Sequence, residues 1–376
     1  MRILHTADWH IGKQLAGFDL LDVQRRSFAK LRQVAKDNQV DAMIIAGDVY
    51  DRSLASERVV GTVNKMLRTL NLDDKLPLLV ISGNHDSGPR LATGHEWFKA
   101  TGLHVNTTIA GAFQPVTIGD TQFFLLPYFE PRQAQVYFED DSLRRIGDAV
   151  TRTVHAMEEL FAPDKHHVLV SHFFVAGSSH VGENGGASET SVSVGGLDAV
   201  PVSAFDAFDY VALGHLHNRN AIQNDHIQYA GSLVKYDVSE TNMLKGCYIL
   251  DTETMTREFV QIPQTPEFRH VTDSFAHIMD PDRDLGVAPD DFVQFTLTDT
   301  EIIPDLMNRL RARYPHCTGV DRQTQVNLDQ EMHAQIQDLD PMALLTDFYP
   351  EATGAPLSAG SRQWAEATLQ EVRGAE

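Results

Sequence analysis

At 376 residues the chain exceeds the usual single-domain size, and a hydrophobic content of 42% suits a globular protein with a substantial core. Two cysteines, Cys247 and Cys317, exclude a disulfide framework and read as buried free thiols; no apolar stretch nears the roughly 18 residues of a membrane span, so a reducing, cytoplasmic setting without a membrane is expected. A net charge of −21 argues against attraction of nucleic acid over the whole surface, although a basic groove or bound metal ions could still supply local positive charge.

Ile3 to Ala7 is a short buried strand that runs into Asp8-Trp9-His10. Asp22 to Gln39 carries Val23, Phe28, Leu31, Val34 and Ala35 near helical spacing, an amphipathic helix. The stretch from Asp41 to Asp51, D-A-M-I-I-A-G-D-V-Y-D, organises the rest. Met43 to Ala46 is too short and too apolar for an amphipathic helix, so it predicts a buried strand whose C-terminal end delivers Asp48 into a crevice. A second helix follows over Ser56 to Leu70, with Val59, Val63, Met66, Leu67 and Leu70 as its stripe. Leu78 to Ile81 is the next strand, running into Gly83-Asn84-His85-Asp86, and Arg90 to Ala100 a shorter helix with Leu91, Trp97 and Phe98. Strands over Leu103 to Ile109, Pro115 to Ile118 and Thr121 to Pro127 precede a long helix over Ser142 to Phe161. Val168 to Val170 runs into Ser171-His172, and Tyr210 to Leu213 into Gly214-His215-Leu216-His217. Between them Gly177 to Gly196 is Gly- and Ser-rich, the composition of a flexible loop. Gly246 to Asp251 and Arg257 to Ile262 are the last strands before Pro263 and Pro266.

Beyond those prolines the pattern changes. Phe292 to Thr298, Asp305 to Tyr314 and Val320 to Val326 read as strand, helix, strand, a small unit without metal ligands and with Pro304 as the first helical residue. Between Pro266 and Asp340 there are 6 Lys plus Arg against 15 Asp plus Glu, so this unit is no general basic DNA-binding domain; only Arg309 and Arg313 form a positive stripe. The end of the chain holds helical stretches over Met342 to Tyr349 and Ser361 to Val372, joined by a Pro-, Gly- and Ser-rich link.

Five buried strands thus end in polar, metal-competent residues. Asp, Asn and His form the ligand set of hard-to-borderline dications such as manganese or iron, whereas a structural zinc site would want cysteines. Two ions are the natural count, because one carboxylate can bridge them and Asp48 is the central choice.

In order, the motifs D-x-H at Asp8/His10, G-D at Gly47/Asp48, G-N-H-D at Gly83 to Asp86, the lone His172 and G-H-x-H at Gly214 to His217 resemble those of the calcineurin-like metallophosphoesterase family. D-W-H-I-G-K at 8 to 13, G-D-V-Y-D at 47 to 51, G-N-H-D-S-G-P-R-L at 83 to 91 and A-G-S-L-V-K-Y-D-V-S-E at 230 to 240 are similar to its DNA double-strand-break repair nuclease branch. The resemblance implies an α/β fold, a two-sheet sandwich flanked by helices over 1–262, then a small α+β cap over 267–338 and a helical tail over 339–376 that docks on a partner. It assigns Asp8, His10, Asp48 and His217 to one metal and Asp48, Asn84, His172 and His215 to the other. His85 becomes the catalytic acid or phosphate-orienting group, with the Asp51 carboxylate pairing its imidazole. The implied cofactor is a pair of Mn2+ ions, with Mg2+ or Fe2+ as alternatives. The implied activity is 3′ to 5′ exonuclease action on duplex DNA ends and endonuclease action on single strands or hairpins. The implied partners are DNA, a coiled-coil ATPase and a second copy of the chain, giving a homodimer within a heterotetramer. Lys13, Arg52, Arg90 and Lys235 follow motifs directly and are candidate DNA-phosphate contacts. Two rival readings stand beside this one: a small-molecule phosphodiesterase or nucleotidase on the same core, and a non-catalytic DNA-end-binding subunit, against which the full ligand set argues.

Overall fold

The computed structural model describes residues 1–177, 199–323, 342, 345, 346, 349 and 357–365. Most of the Gly- and Ser-rich loop and much of the C-terminal tail therefore lie outside the described residues. The chain divides into two units, Met1–Arg322 and Gln323–Glu376.

Two sheets make the heart of the first unit. The larger runs in the order Thr256–Gln261, Gly246–Asp251, Arg2–Thr6, Ala42–Ala46, Leu78–Ile81, Leu103–Asn106, and its last four strands are parallel. The smaller runs Ile227–Tyr229, Tyr210–Leu213, His166–Ser171, Thr121–Leu125, Val116–Ile118, parallel except for its final pair. Strand alternation decides which side chain goes where. Ile3, Ala42, Ile44, Leu79 and Ile81 of one sheet meet Phe123, Val168, Val170, Tyr210 and Ala212 of the other in one fully buried cluster, so the sheets pack face to face. The alternate residues Leu4, Met43, Ile45, Leu78 and Val80 point outward and are covered by helices Leu21–Asp37 and Glu57–Arg68. On the opposite side Leu169, Val211 and Leu213 are covered by helix Ile146–Glu158, through Val150, Val154 and Met157. This is the flanked sandwich that the motif order implied.

Local boundaries shift where tertiary contacts override the pattern. The strand expected to reach Ile109 stops at Asn106, because Thr108 caps a short helix, Ile109–Ala112, with its hydroxyl on Gly111 N. The helix expected over Arg90 to Ala100 is broken into Gly88–Leu91 and His95–Phe98, with Gly94 at φ +82° between them. Pro131–Phe138 is a helix that the pattern did not indicate; Pro131 opens it and Glu130 and Gln133 form a capping box.

The cap is a three-stranded all-parallel sheet, Phe268–Asp273, Phe292–Leu297, Cys317–Arg322, with helix Leu306–Arg313 on it. Its first strand escaped the sequence reading, since Phe268 and Val271 alone give little alternation. The helix begins two residues after Pro304. Its arginines serve packing: Arg309 lies over the Phe275 ring at 4.3 Å, and Arg313 donates to the carbonyls of Met279 and Asp280. Phe268 and Phe292 join the cluster beneath helix Leu21–Asp37, and Lys30 donates to Pro263 O. In the second unit, positions 342, 345, 346, 349 and 359–365 are helical, and Leu345, Tyr349, Trp364 and Ala365 line a shallow hollow.

Candidate metal centre

Parallel strands deliver their C-terminal ends to one edge of the sandwich, and there the five motifs meet. The loop after Arg2–Thr6 is zipped to the loop after Ala42–Ala46 by Asp8 N to Gly47 O, His10 N to Asp48 O and Ile11 N to Val49 O, at 2.9–3.1 Å. Asp8, His10, Asp48 and His215 all hold positive φ, at +50°, +42°, +49° and +93°, a concentration of backbone strain at one place in the molecule. The motif glycines are there for close approach. A Cβ on Gly83 would lie 2.1 Å from Asp48 Oδ1, and one on Gly214 would lie 2.0 Å from Ala46 O and 2.7 Å from His172 Nδ1.

The side chains converge in three overlapping groups, Asp8/His10/His217, Asp8/Asp48/His172 and, at the rim, His10/Asp51/His85, each with its candidate ligand atoms within 4.8 Å of one another. Asp48 Oδ2 is 3.2 Å from His172 Nε2 and 3.6 Å from His10 Nε2, while its Oδ1 accepts from His85 N. Asn84 Oδ1 is 3.1 Å from both His172 Nε2 and His215 Nδ1. His10 Nε2 and His217 Nε2 face each other at 3.1 Å. These spacings fit metal ions. Ligands about 2.1 Å from an ion lie roughly 3 Å apart on neighbouring vertices, and facing ring nitrogens have little other reason to be so close.

The ring nitrogens on the far side point the same way. His172 Nδ1 is 2.7 Å from Ala46 O and His217 Nδ1 is 2.7 Å from Glu240 Oε1, so each ring turns its Nε2 inward. Burial holds His10 well below the ordinary histidine range and His215 down at about 3, so both present lone pairs. Burial raises Asp8. At Asp48 burial pushes upward too, but His172 overcomes it and keeps the carboxylate well below its usual range. Against the same burial, Asp48 and Asp8 push His172 up to about 9.

His85 sits at the rim, its ring edge-on to His10 with centroids 4.8 Å apart. Here the structure corrects one expectation. Asp51 reaches His85 Nδ1 through its main-chain carbonyl, at 2.9 Å; its carboxylate turns to Lys13 Nζ at 3.4 Å and Arg52 Nε at 3.3 Å. The reason is local, because a cation one residue on and another across the site outcompete a ring that the carbonyl already satisfies. Asp86 is a backbone clamp: it accepts from Gly83 N, Val49 N and Tyr50 N, and burial raises it to about 7.

Of the four candidate phosphate contacts, Arg52 and Arg90 are exposed, and Lys13 is half-buried against Asp51 and Tyr236. Lys235 is different. Only 6% exposed, its amine donates to Thr241 O and Glu267 Oε2, which pins the loop after Ile227–Tyr229 to the cap and leaves no reach to a phosphate. Sequence reasoning missed several supporting residues. Gln24 is buried in the first helix and fastens the His10 loop by donating to His10 O and Trp9 O and accepting from Gly12 N. Tyr236 OH donates to Trp9 O, and its ring stands edge-on to His10 and His217. Glu240 and Lys245 complete the set. The only signal for Gln24 and Lys245 is a polar residue within an apolar face or beside a strand.

Mixed sheets packed face to face, with Asp, Asn and His gathered at the strand ends, define a phosphoesterase that works through divalent metal ions. Residues 1–219 match the calcineurin-like phosphoesterase family model, and the chain belongs to that family. Residues 264–353 match a second model, described as the type 5 capsule protein repressor C-terminal domain. The chain is 31% identical over 361 residues to the D-subunit of nuclease SbcCD from Staphylococcus epidermidis, covering 95% of both chains. It is 30% identical over 363 residues to the protein of the same name from Staphylococcus saprophyticus subsp. saprophyticus, again 95% of both.

Proposed function

We propose that this chain is the nuclease subunit of a DNA repair complex, a metal-dependent phosphodiesterase that acts with an SbcC-type coiled-coil ATPase. The observation that carries the reading is the convergence of Asp8, His10, Asp48, Asn84, His172, His215 and His217 within a chain aligned over 95% of its length with relatives named as nucleases. In this reading Mn2+ is the cofactor, DNA the substrate, and 3′ to 5′ cleavage of duplex ends with endonucleolytic cleavage of single strands or hairpins the activity. The setting is cytoplasmic.

Asp8, His10, Asp48 and His217 would hold one ion and Asp48, Asn84, His172 and His215 the other. Asp48 is the better bridge, since its Oδ2 lies between His10 and His172, whereas both oxygens of Asp8 take up His215 N. When bound, the ions supply Lewis-acid charge that acidifies water and offsets the charge building up on the phosphate. The protein does the rest. Asn84 and the neutral histidines bring no negative charge, so the site can hold a phosphodiester anion. The Asp51 carbonyl keeps the proton of the neutral His85 ring on Nδ1, so the proton that His85 gives to a leaving oxygen is carried on Nε2. Arg52 and Arg90, both exposed, would meet flanking phosphates.

Assembly and layout belong to the same proposal: nuclease core 1–262, cap 267–338, partner-docking tail 339–376, and a homodimer within a heterotetramer. The apolar stripe of the second helix is spent inside the chain, since Val63, Met66 and Leu70 are buried against the sheet. What is left for a second copy is Trp97, 82% exposed, with Phe98 and Leu72 around an apolar hollow of about 800 Å³. The deciding experiment incubates the purified protein and Mn2+ with a labelled hairpin oligonucleotide and with a chromogenic phosphodiester, beside His85→Ala. Cleavage of the hairpin by the wild type alone is expected. Turnover of the chromogenic ester without DNA cleavage would favour a small-molecule phosphodiesterase, and no turnover of either would favour a binding subunit.

A further inference from the structure

A histidine that holds a metal has two ring nitrogens, and the group bonded to the outer one decides what the inner one can do. At His172 that outer group is the Ala46 carbonyl, while His10 Nδ1 is buried without a hydrogen-bond partner among the described residues. His217 is the exception. Its Nδ1 lies 2.7 Å from a carboxylate oxygen, Glu240 Oε1, 23 residues further along the chain.

Glu240 is itself tightly constrained. Its second oxygen accepts from Lys245 Nζ at 2.7 Å, from Tyr236 N at 3.2 Å and from Ser232 Oγ at 3.4 Å. Lys245 Nζ also donates to Ser232 Oγ at 2.7 Å and to the carbonyl of His217 at 2.9 Å. Both Glu240 and Lys245 are 2% exposed. A short helical turn, Val238–Glu240, presents the carboxylate, and Lys235 fixes the next residue by its bond to Thr241 O.

A buried ion pair gives little net stability, because removing both charges from water offsets most of their attraction. Neutralising Glu240 requires Lys245 alone. It does not require the carboxylate to point its other oxygen at a ring nitrogen, nor the ammonium to bind the main chain of the same histidine. The dyad grips His217 at ring and backbone together. A carboxylate accepts only, so the ring must carry its proton on Nδ1, and Nε2 then turns a lone pair toward His10 Nε2, 3.1 Å away. We propose that Glu240, held by Lys245, is the positioning residue that fixes the tautomer and direction of His217 and thereby sets the affinity of the ion on the His10 side. The proposal rests on the metal-centre reading above and assigns to the A-G-S-L-V-K-Y-D-V-S-E segment a task there.

The test uses the full chain, titrated with Mn2+ alone while free Mn2+ is read by electron paramagnetic resonance. Glu240→Leu/Lys245→Met removes the acceptor without leaving a buried charge, and Glu240→Gln/Lys245→Met restores a neutral acceptor. The first variant is expected to lose about 10- to 100-fold in affinity for one of two ions and keep the other. The second should recover most of the loss. Unchanged affinity for both ions in the first variant overturns the positioning role while leaving the two-ion centre intact. A wild type that takes up no Mn2+ overturns the centre and this inference together. If neither variant folds, the tautomer is read in the wild type, 15N-labelled at histidine and free of metal, with His217→Ala assigning the signal. A proton on Nδ1 of His217 is expected, and a proton on Nε2 overturns the proposal.

Discussion

Asp48 holds its place through three neighbours at once: His85 N donates to one oxygen, while the other lies between His10 and His172. Asp48→Ala should therefore empty both ion sites, whereas His10→Ala should chiefly weaken one. Two ions per chain still bound to the Asp48 variant, by metal analysis after gel filtration, would rule out the bridging assignment. His85 tests the opposite property. It touches Asp48 through its backbone amide and its ring Nδ1 meets the Asp51 carbonyl at the rim, so His85→Ala should keep both ions and lose turnover by about 10²-fold or more. Loss of metal together with activity would show that its ring is a ligand. At this scale the first ring of side chains was legible, because each follows its strand within a few residues and repeats one pattern. The partners behind that ring were not. Gln24, Glu240 and Lys245 reach the site across the fold, and the Asp51 carboxylate was taken from His85 by Lys13 and Arg52, a competition that only three-dimensional placement decides.

Helices and strands were legible to the extent that burial was one-sided. The first helix shows it: Val23, Phe28, Leu31 and Ala35 face the sheet, and the expected span differs from Leu21–Asp37 by two residues at most. One of the points that fasten its outer face is where Arg32 meets Asp74 in a two-pronged contact of 2.5 and 2.7 Å and Lys36 adds a third bond at 3.0 Å. Arg32 leads Lys36 in holding the Asp74 carboxyl below its usual range. A depressed carboxyl contributes stability above its unfolded pKa and loses it as pH falls through the folded one. Asp74→Asn should thus lower the urea midpoint at pH 7, and the gap from wild type should close as pH is brought below about 3, past the ordinary carboxylate range. A gap that stays constant down to that pH would mean that charge plays no part. Short elements were less legible. Pro131–Phe138 and the cap strand Phe268–Asp273 bury few residues each, so their periodicity is weak even though capping and sheet pairing define them well.

For the whole molecule, the layered order of the core could be read from strands that each end in a ligand, but its assembly could not, because an apolar stripe looks the same whether it packs inward or outward. The inward choice for Val63, Met66 and Leu70 moves the proposed self-contact to Trp97 and Phe98. Trp97→Asp with Phe98→Asp should convert a dimer at micromolar concentration to a monomer in light scattering, and a wild type already monomeric there would end that proposal. The tail poses the same question for another partner. Met342, Leu344, Leu345, Phe348 and Tyr349 crowd one short segment and Trp364, Leu369 and Val372 mark a second, separated by a Pro-, Gly- and Ser-rich link. Among the described positions, Leu345, Tyr349 and Trp364 line a common hollow, and Trp364 is 74% exposed. Helices this short are marginal in water without a surface to cover them. An apolar pair of this kind suits a groove between the helices of a coiled coil, which is what an SbcC-type ATPase would offer. Truncation after Leu339 should therefore preserve manganese-dependent cleavage of single-stranded DNA, since every proposed ligand lies before residue 218. It should abolish co-purification with the ATPase and ATP-stimulated degradation of duplex DNA. A truncated chain that binds the ATPase with unchanged affinity would move the docking site to the cap or the core.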